Sequence, residues 1–307
     1  MISVKNTFVI IGGATRAGTT SLHKYLSDHK DVCASSQKET RFFLDEDYPS
    51  PYPITYQYGR HPMQKYFEYF QDQTRNIFLE ATPDYLFSAG TPKKVKESLN
   101  DVKWLFILRD PIERLKSWFY FGRQVGELSA EISLEEFISL QLNETANHRK
   151  QIFRTLEQGN YSAYLQQYYE LFGAENILLL SFGALEREPL KFMKTVCDFI
   201  EIDSGDYDDY KFSTLNSSVS LKHVGGIEKY YMTVGTKMFL RVYNRPIIRK
   251  LLHFLRTSVF EPVYYRLNAN KKGREEIPLA LKKRLVDYYS GELQRLEKLS
   301  GRKFSWE

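Results

Sequence analysis

Four short apolar runs punctuate the chain, each bounded by polar or turn-forming residues. They are Phe8-Val9-Ile10-Ile11, Ile77-Phe78-Leu79, Trp104-Leu105-Phe106-Ile107-Leu108 and Ile177-Leu178-Leu179-Leu180. Unbroken runs of this length, rich in branched and aromatic side chains, suit strands buried on both faces, as in a parallel sheet. Between them the period changes. Leu22, Tyr25 and Leu26 recur at helical spacing, Leu134 to Phe153 reads as helical, and Leu190 to Ile200 is an amphipathic helix. The alternation predicts the α/β class: a single domain with a central parallel sheet flanked by helices, spanning 1–307. Asp45 to Pro62 is rich in Pro, Tyr and Asp without a period and reads as a loop, ahead of an aromatic helix with Tyr66, Phe67, Tyr69 and Phe70. Ser213 to Asn270 mixes aromatics with Lys237, Arg241, Arg245, Arg249, Lys250 and Arg256. It reads as a solvated basic helix face over an apolar core, with contact to a membrane surface or an acidic acceptor as the other reading.

The first strand ends at Gly12-Gly13 and runs into Gly13-Ala14-Thr15-Arg16-Ala17-Gly18-Thr19-Thr20-Ser21 before the first helix. Glycines let the backbone curl closely, successive N–H groups converge, and the helix N-terminus brings its positive dipole end. This P-loop-like strand-loop-helix is built to hold a phosphate or sulfate. A Walker A loop carries Lys directly after its second glycine, then Ser or Thr for magnesium. Here Thr19 fills the lysine position and the cation moves upstream to Arg16. The anion site survives that change, while a triphosphate with magnesium is disfavoured. The plainer alternative is an ordinary strand-to-helix turn whose threonines cap the helix.

Composition narrows the class without deciding it. A hydrophobic share of 42% over 307 residues is globular, and a net charge of +5 suits polyanionic ligands but is too weak to argue for nucleic acid. Two cysteines, Cys33 and Cys197, give neither a disulfide framework nor a metal-ligand cluster. No stretch approaches the ~18 uninterrupted apolar residues of a membrane helix. Met1 to Lys5 shows no charged region leading into a signal-length apolar run. These features lead us to expect a soluble, cytoplasmic protein without stable membrane insertion and without a metal.

Several polar groups sit where an active site of an open α/β sheet belongs, at the carboxyl ends of strands. Glu80 and Asp84 follow the second run. Arg109 closes the third, and Ser117 lies on the helix after it, so that a guanidinium and a hydroxyl can converge on one anion. Gln37-Lys38-Glu39-Thr40-Arg41-Phe42-Phe43 sets a carboxylate and cations against an aromatic wall, where desolvation raises a carboxylate pKa and pairing lowers it. His61 is a second candidate base, by its loop position. Lys271-Lys272-Gly273-Arg274 places cations around a flexible glycine.

In chain order these segments resemble sulfotransferases that use 3′-phosphoadenosine 5′-phosphosulfate (PAPS), above all the heparan sulfate glucosaminyl type and its bacterial relatives. The loop is similar to the family's 5′-phosphosulfate-binding loop, which assigns Thr15, Arg16, Ala17, Gly18, Thr19, Thr20 and Ser21 to the donor. The resemblance implies Arg109 and Ser117 as a 3′-phosphate clamp, with Lys272, Gly273 and Arg274 as a loop over that phosphate. It implies Glu39 as the base, Lys38 as a substrate or sulfate contact, and Glu80 and Asp84 at the acceptor site. Gly159-Asn160-Tyr161-Ser162-Ala163-Tyr164-Leu165 and Gly301-Arg302-Lys303-Phe304-Ser305-Trp306 also match in order. The chain departs from the pattern at Arg16, where the family generally has lysine, and at Phe182-Gly183-Ala184-Leu185, where it usually has Glu-Asp-Leu. The family's cysteine-bridged segment is absent too, and we expect no N-terminal anchor of the kind its Golgi members carry.

The implied reaction is transfer of a sulfuryl group from PAPS to a hydroxyl or amine of a saccharide, lipid or secondary-metabolite acceptor, leaving 3′-phosphoadenosine 5′-phosphate (PAP). A P-loop phosphotransferase and a non-catalytic anion- or glycan-binding module are the alternatives. The acceptor and the oligomeric state are not legible, because acceptor pockets are built from the least patterned segments.

Overall fold

The computed structural model describes residues 6–50, 54–124, 127–129, 131–143, 151–213 and 275–306. They fall into two compact units. The first comprises Met1–Arg114, Glu157–Asn216 and Tyr289–Glu307; the second comprises Leu115–Leu156 and Ser217–Tyr288.

The first unit holds the sheet. Its strands are β1 (Thr7–Gly13), β2 (Val32–Ala34), β3 (Ile77–Ala81), β4 (Val102–Leu108) and β5 (Ile177–Ser181), in the order β2-β3-β1-β4-β5. Every neighbouring pair is parallel, with Ile10 opposite Glu80 on one side and Trp104 on the other. The fold is α/β with a five-stranded parallel sheet flanked by helices. Each of the four apolar runs is a strand, as expected. The fifth strand, β2, is three residues long and carries no periodic signal in the sequence.

Alternate residues of the strands feed two cores, one on each face of the sheet. Phe8, Ile10, Phe78, Trp104, Phe106 and Leu108 pack with Tyr161, Leu165, Tyr168 and Phe172 of α6 (Tyr161–Phe172). Val9, Ile11, Leu79, Leu105 and Ile107 pack with Leu22, Tyr25 and Leu26 of α1 (Thr19–Ser27) and with the apolar face of α8 (Pro189–Ile200). At about 1.5–3 kcal/mol per fully buried large apolar side chain, this two-sided burial outweighs any local preference and explains why the strands read as continuous apolar runs. Remaining helices of this unit are α2 (Gln64–Phe67), α3 (Thr91–Ser98), the short α7 (Phe182–Arg187) and α10 (Glu292–Ser300). Glu292 is buried and accepts from Ser162 N (2.7 Å) and Ser162 Oγ (2.9 Å), fastening α10 to the first turn of α6. Cys33 and Cys197 are free and buried.

The unit boundary falls within α4 (Pro111–Gln124). The second unit adds α5 (Leu134–Leu142), a 3₁₀ turn at Gln151–Arg154 and α9 (Leu279–Tyr288). Ser133 caps α5 by accepting from Glu136 N (3.1 Å), and Glu275 accepts from Arg123 Nη1 (3.3 Å) and Leu134 N (3.1 Å). The helix expected over Leu134 to Phe153 is shorter in this structure, because α5 ends at Leu142. The basic segment from Ser213 to Asn270 lies almost wholly outside the described residues. Among the described residues no helix is long and apolar enough to cross a membrane.

Candidate active site

β1 delivers the loop. A Cβ at Gly13 would lie 2.8 Å from Leu86 Cβ and 3.2 Å from the Pro83 carbonyl oxygen, so only glycine lets the strand end there. Ala14 N donates to Ile107 O (2.8 Å) and Ala17 N to Ala14 O (3.2 Å), closing a tight turn with Arg16 at φ 65°. Gly18, at φ 91°, is the N-cap of α1 and has no side chain to cap it. Thr19, Thr20 and Ser21 lie inside the helix, so the threonine-capped alternative does not describe this turn. Arg114 braces the loop. Fully buried, it donates Nε to Thr15 O (2.9 Å) and Nη2 to Thr15 Oγ1 (3.2 Å) and Gln158 Oε1 (3.2 Å). Its guanidinium lies over the rings of Phe87 (5.1 Å) and Tyr161 (5.8 Å).

β4 hands over to Arg109, whose guanidinium carbon lies 4.7 Å from the centre of the Phe182 ring. The same ring is what a Cβ at Gly18 would strike, at 2.8 Å. One aromatic side chain thus joins the N-cap of α1 to Arg109 and gathers the carboxyl ends of β1, β4 and β5. Asp110 Oδ1 caps α4 by accepting from Ile112 N and Glu113 N, both 2.9 Å, and the Tyr161 hydroxyl donates to Arg109 O (2.9 Å). Ser117 is buried on α4 in the second unit. Lys272, Gly273 and Arg274 lie outside the described residues.

Glu39 is clamped between two cations. Lys38 Nζ reaches Oε1 at 3.0 Å, and Arg41 Nη2 bonds Oε2. Burial pushes this carboxyl up, but Lys38 and Arg41 outweigh it and hold it below the ordinary carboxylate range. The Glu39 side chain is 29% exposed. His23 of α1 has its pKa lowered to about 4, chiefly by burial and then by Lys38. Its buried Nε2 has no hydrogen-bond partner, so it stands as a neutral imidazole in the electrostatic reach of Lys38 and Glu39.

Three expected site residues take other places. Glu80 faces a closed set of hydroxyls. It lies within β3 rather than at a polar tip, is fully buried, and accepts from Thr82 Oγ1 (2.9 Å), Tyr85 Oη (2.8 Å), Tyr66 Oη (2.8 Å) and Thr40 Oγ1. Asp84 is buried in the 3₁₀ turn Pro83–Phe87 and accepts from Tyr48 Oη (3.1 Å). His61 Nδ1 accepts from Gln57 N (3.1 Å) and its ring meets Tyr56 at 5.3 Å, so its interactions stay inside its own loop.

A family model described as "Sulfotransferase domain" matches residues 6–222. The chain belongs to the sulfotransferase family. Mouse bifunctional heparan sulfate N-deacetylase/N-sulfotransferase 1 is 26% identical over 202 residues, covering 64% of this chain and 22% of that protein. The membrane-associated sulfotransferase kil1 of Dictyostelium discoideum is 31% identical over 118 residues, covering 38% of this chain and 23% of that protein. The matched stretch thus spans about a fifth of the length of these curated relatives. A sulfotransferase from Alicyclobacillus acidocaldarius has the same fold, with a TM-score of 0.65 at 20% identity over 98% of both chains.

Within this sulfotransferase chain, the geometry brings forward four residues to which the sequence reading gave no role of their own: Arg114, Phe182, Arg41 and His23. Arg114 follows Arg109 at a spacing that points to no role by itself. Phe182 falls at a departure from the family pattern. Arg41 closes the Glu39 clamp from a left-handed position at φ 56°. A lone histidine on an amphipathic helix such as α1 gives no signal at all.

Proposed function

We propose that this chain transfers a sulfuryl group from PAPS to a hydroxyl or amine of a saccharide, lipid or secondary-metabolite acceptor, releasing PAP, as a cytoplasmic enzyme that needs no metal. The observation that carries the reading is the Phe182 ring, which packs on Gly18 and stacks under Arg109. It sets a lysine-free anion loop and an arginine around one point at the carboxyl ends of the strands. Two neighbouring cationic groups of this kind fit a nucleotide with phosphate at both its 5′ and 3′ positions. Arg109 would fork onto the 3′-phosphate, and the resemblance alone assigns Ser117, Lys272, Gly273 and Arg274 to that phosphate.

In the reaction the acceptor oxygen or nitrogen forms a bond to sulfur as the bond from sulfur to the 5′-phosphate oxygen breaks. The acceptor proton passes to the Glu39 carboxylate. Because Lys38 and Arg41 keep Glu39 ionised, the base is always in its receptive form, at the cost of basicity. Arg16 stabilises charge on the transferring group and the leaving phosphate as a fixed cation, since a guanidinium holds its proton. Lys38 would contact the substrate or the transferring sulfuryl group, with the neutral His23 in its electrostatic reach.

The test of the donor assignment is a thermal melt in metal-free buffer. At a hundredfold excess over its dissociation constant, PAP should stabilise the protein by about 2.7 kcal/mol, and ATP with magnesium by less. A larger shift with ATP and magnesium would overturn the assignment in favour of a phosphotransferase.

A further inference from the structure

The fully buried Glu80 is the one acidic side chain on the strands that the chemistry above does not use, and its partners form a pattern. Its Oε1 accepts from three hydroxyls: Thr40, Thr82 at 2.9 Å and Tyr85 at 2.8 Å. Each of these oxygens also accepts one backbone N–H from a run of three consecutive residues. Arg41 N donates to Thr82 Oγ1 (3.2 Å), Phe42 N to Thr40 Oγ1 (3.3 Å) and Phe43 N to Tyr85 Oη (3.2 Å). A hydroxyl that donates to a carboxylate has its lone pairs turned away from it, toward any N–H on the other side, and the charge polarises the bond. One carboxylate therefore aims three hydroxyls at three successive amides. Oε2 is held by Tyr66 Oη at 2.8 Å, and the Tyr66 ring packs on Phe42 and Phe43 at 5.2 and 4.9 Å. Two further bonds fix the approach, Ala81 N to Lys38 O (3.3 Å) and Gln37 Nε2 to Glu39 O (2.7 Å).

The segment so held contains the Glu39 clamp. Arg41 sits at φ 56°, a left-handed conformation that a side-chain-bearing residue keeps only when its surroundings over-determine it. The bond from its N–H to Thr82 is part of that determination, and its guanidinium bonds Glu39.

We infer that Glu80 is a positioning residue for the reaction: through Thr40, Thr82 and Tyr85 it fixes the turn at 41–43, and with it the placement of Arg41 and the carboxylate of Glu39. The inference rests on the reading of Glu39 as the base. It turns a buried polar cluster into the rigid support of the reacting group, which a core of apolar side chains could not supply because three amides would then lie without acceptors.

The test deletes single links. Thr82→Val removes the oxygen that accepts Arg41 N–H at nearly constant shape, and Thr82→Ser restores it. Three readouts are taken: PAP affinity, the titration of the Glu39 carboxyl by ¹³C NMR, and single-turnover transfer at saturating donor. The valine variant should bind PAP as the parent does, lose transfer by about 10²-fold, the scale of a small misplacement of a reacting group, and show the Glu39 titration displaced upward as Arg41 leaves it. The serine variant should recover both. If the valine variant does not fold, Tyr85→Phe carries the same test at Phe43 N–H. A lowered melting temperature with unchanged transfer and unchanged Glu39 titration would reduce Glu80 to a packing role and overturn the inference. Should the parent transfer to no acceptor, the base reading fails, while the Glu39 titration still decides the positioning claim: displaced in the valine variant supports it, unmoved overturns it.

Discussion

Replacing Arg114 by methionine tests whether the anion loop is held from behind. The side chain is fully buried, and its hydrogen bonds include two to Thr15 and one to the buried Gln158. Methionine has a similar length and fills the space over Phe87 and Tyr161, so the cavity cost is small. What changes is hydrogen bonding. Thr15 O and Gln158 Oε1 both lose this donor, and an acceptor left unsatisfied costs about 1–3 kcal/mol. Relief from holding a desolvated cation offsets part of that. The expected net loss is about 2–4 kcal/mol, which lowers the melting temperature by roughly 3–6 °C for a chain of this size. Thr15 carries the first turn of the loop, so PAP affinity should fall about tenfold, read by titration calorimetry. Arg114→Lys should rescue neither, because an ammonium cannot reproduce the fork onto Thr15. A methionine variant that melts like the parent and binds PAP as tightly would refute the bracing argument.

The remaining predictions concern the loop, the arginine on Phe182 and the base. Gly18→Ala meets both a φ of 91° and the Phe182 ring at 2.8 Å. A side chain in that conformation costs about 1–2 kcal/mol and overpacking about 1–3 more, so both thermal stability and PAP affinity should drop, and a variant with parental values would show that the loop tolerates a Cβ. Arg109→Ala should weaken PAP by about 1.5–3 kcal/mol and barely change adenosine 5′-phosphosulfate, which lacks the 3′-phosphate; equal losses would place Arg109 elsewhere. For Glu39 the folded pKa lies below its ordinary 4.5, so its charge persists as pH falls and is lost only on passing through that lowered value. The acid limb of kcat/KM should therefore lie below 4.5, and the salt-bridge stability of the clamp should vanish over the same window. A limb centred above 4.5 would take the role of base away from Glu39.

The parts legible in the sequence are those whose physics is local. Four strands announce themselves because burial on both faces leaves no polar position, and the anion loop is readable because its glycines, its cation and its helix start are contiguous. β2 was hidden by its length, since Val32–Ala34 is too short to carry a period. Glu80 misled for a different reason. An acidic residue near a strand's carboxyl end reads as part of a site, and only the assembled sheet brings it the hydroxyls of Thr40, Tyr66, Thr82 and Tyr85. Glu39 was recognisable by its neighbours, but the sign of its pKa shift was not, because that depends on whether Lys38 and Arg41 both reach it. Phe182 could not be foreseen, since its role lies in touching Gly18 and Arg109, which are distant in the chain.

The central claim is sulfuryl transfer from PAPS with Glu39 as the base, and the most direct measurement is transfer itself. Enzyme and PAPS in metal-free buffer would be incubated with panels of hydroxyl- and amine-bearing saccharides, lipids and secondary metabolites, with mass spectra scored for one added sulfuryl group and equal release of PAP. The account predicts stoichiometric transfer to at least one acceptor class by the parent, and a loss of about 10²–10⁴-fold in single-turnover rate for Glu39→Gln with PAP binding intact. Transfer of phosphate from ATP with magnesium in place of sulfuryl, or a Glu39→Gln enzyme that sulfates as fast as the parent, would contradict it.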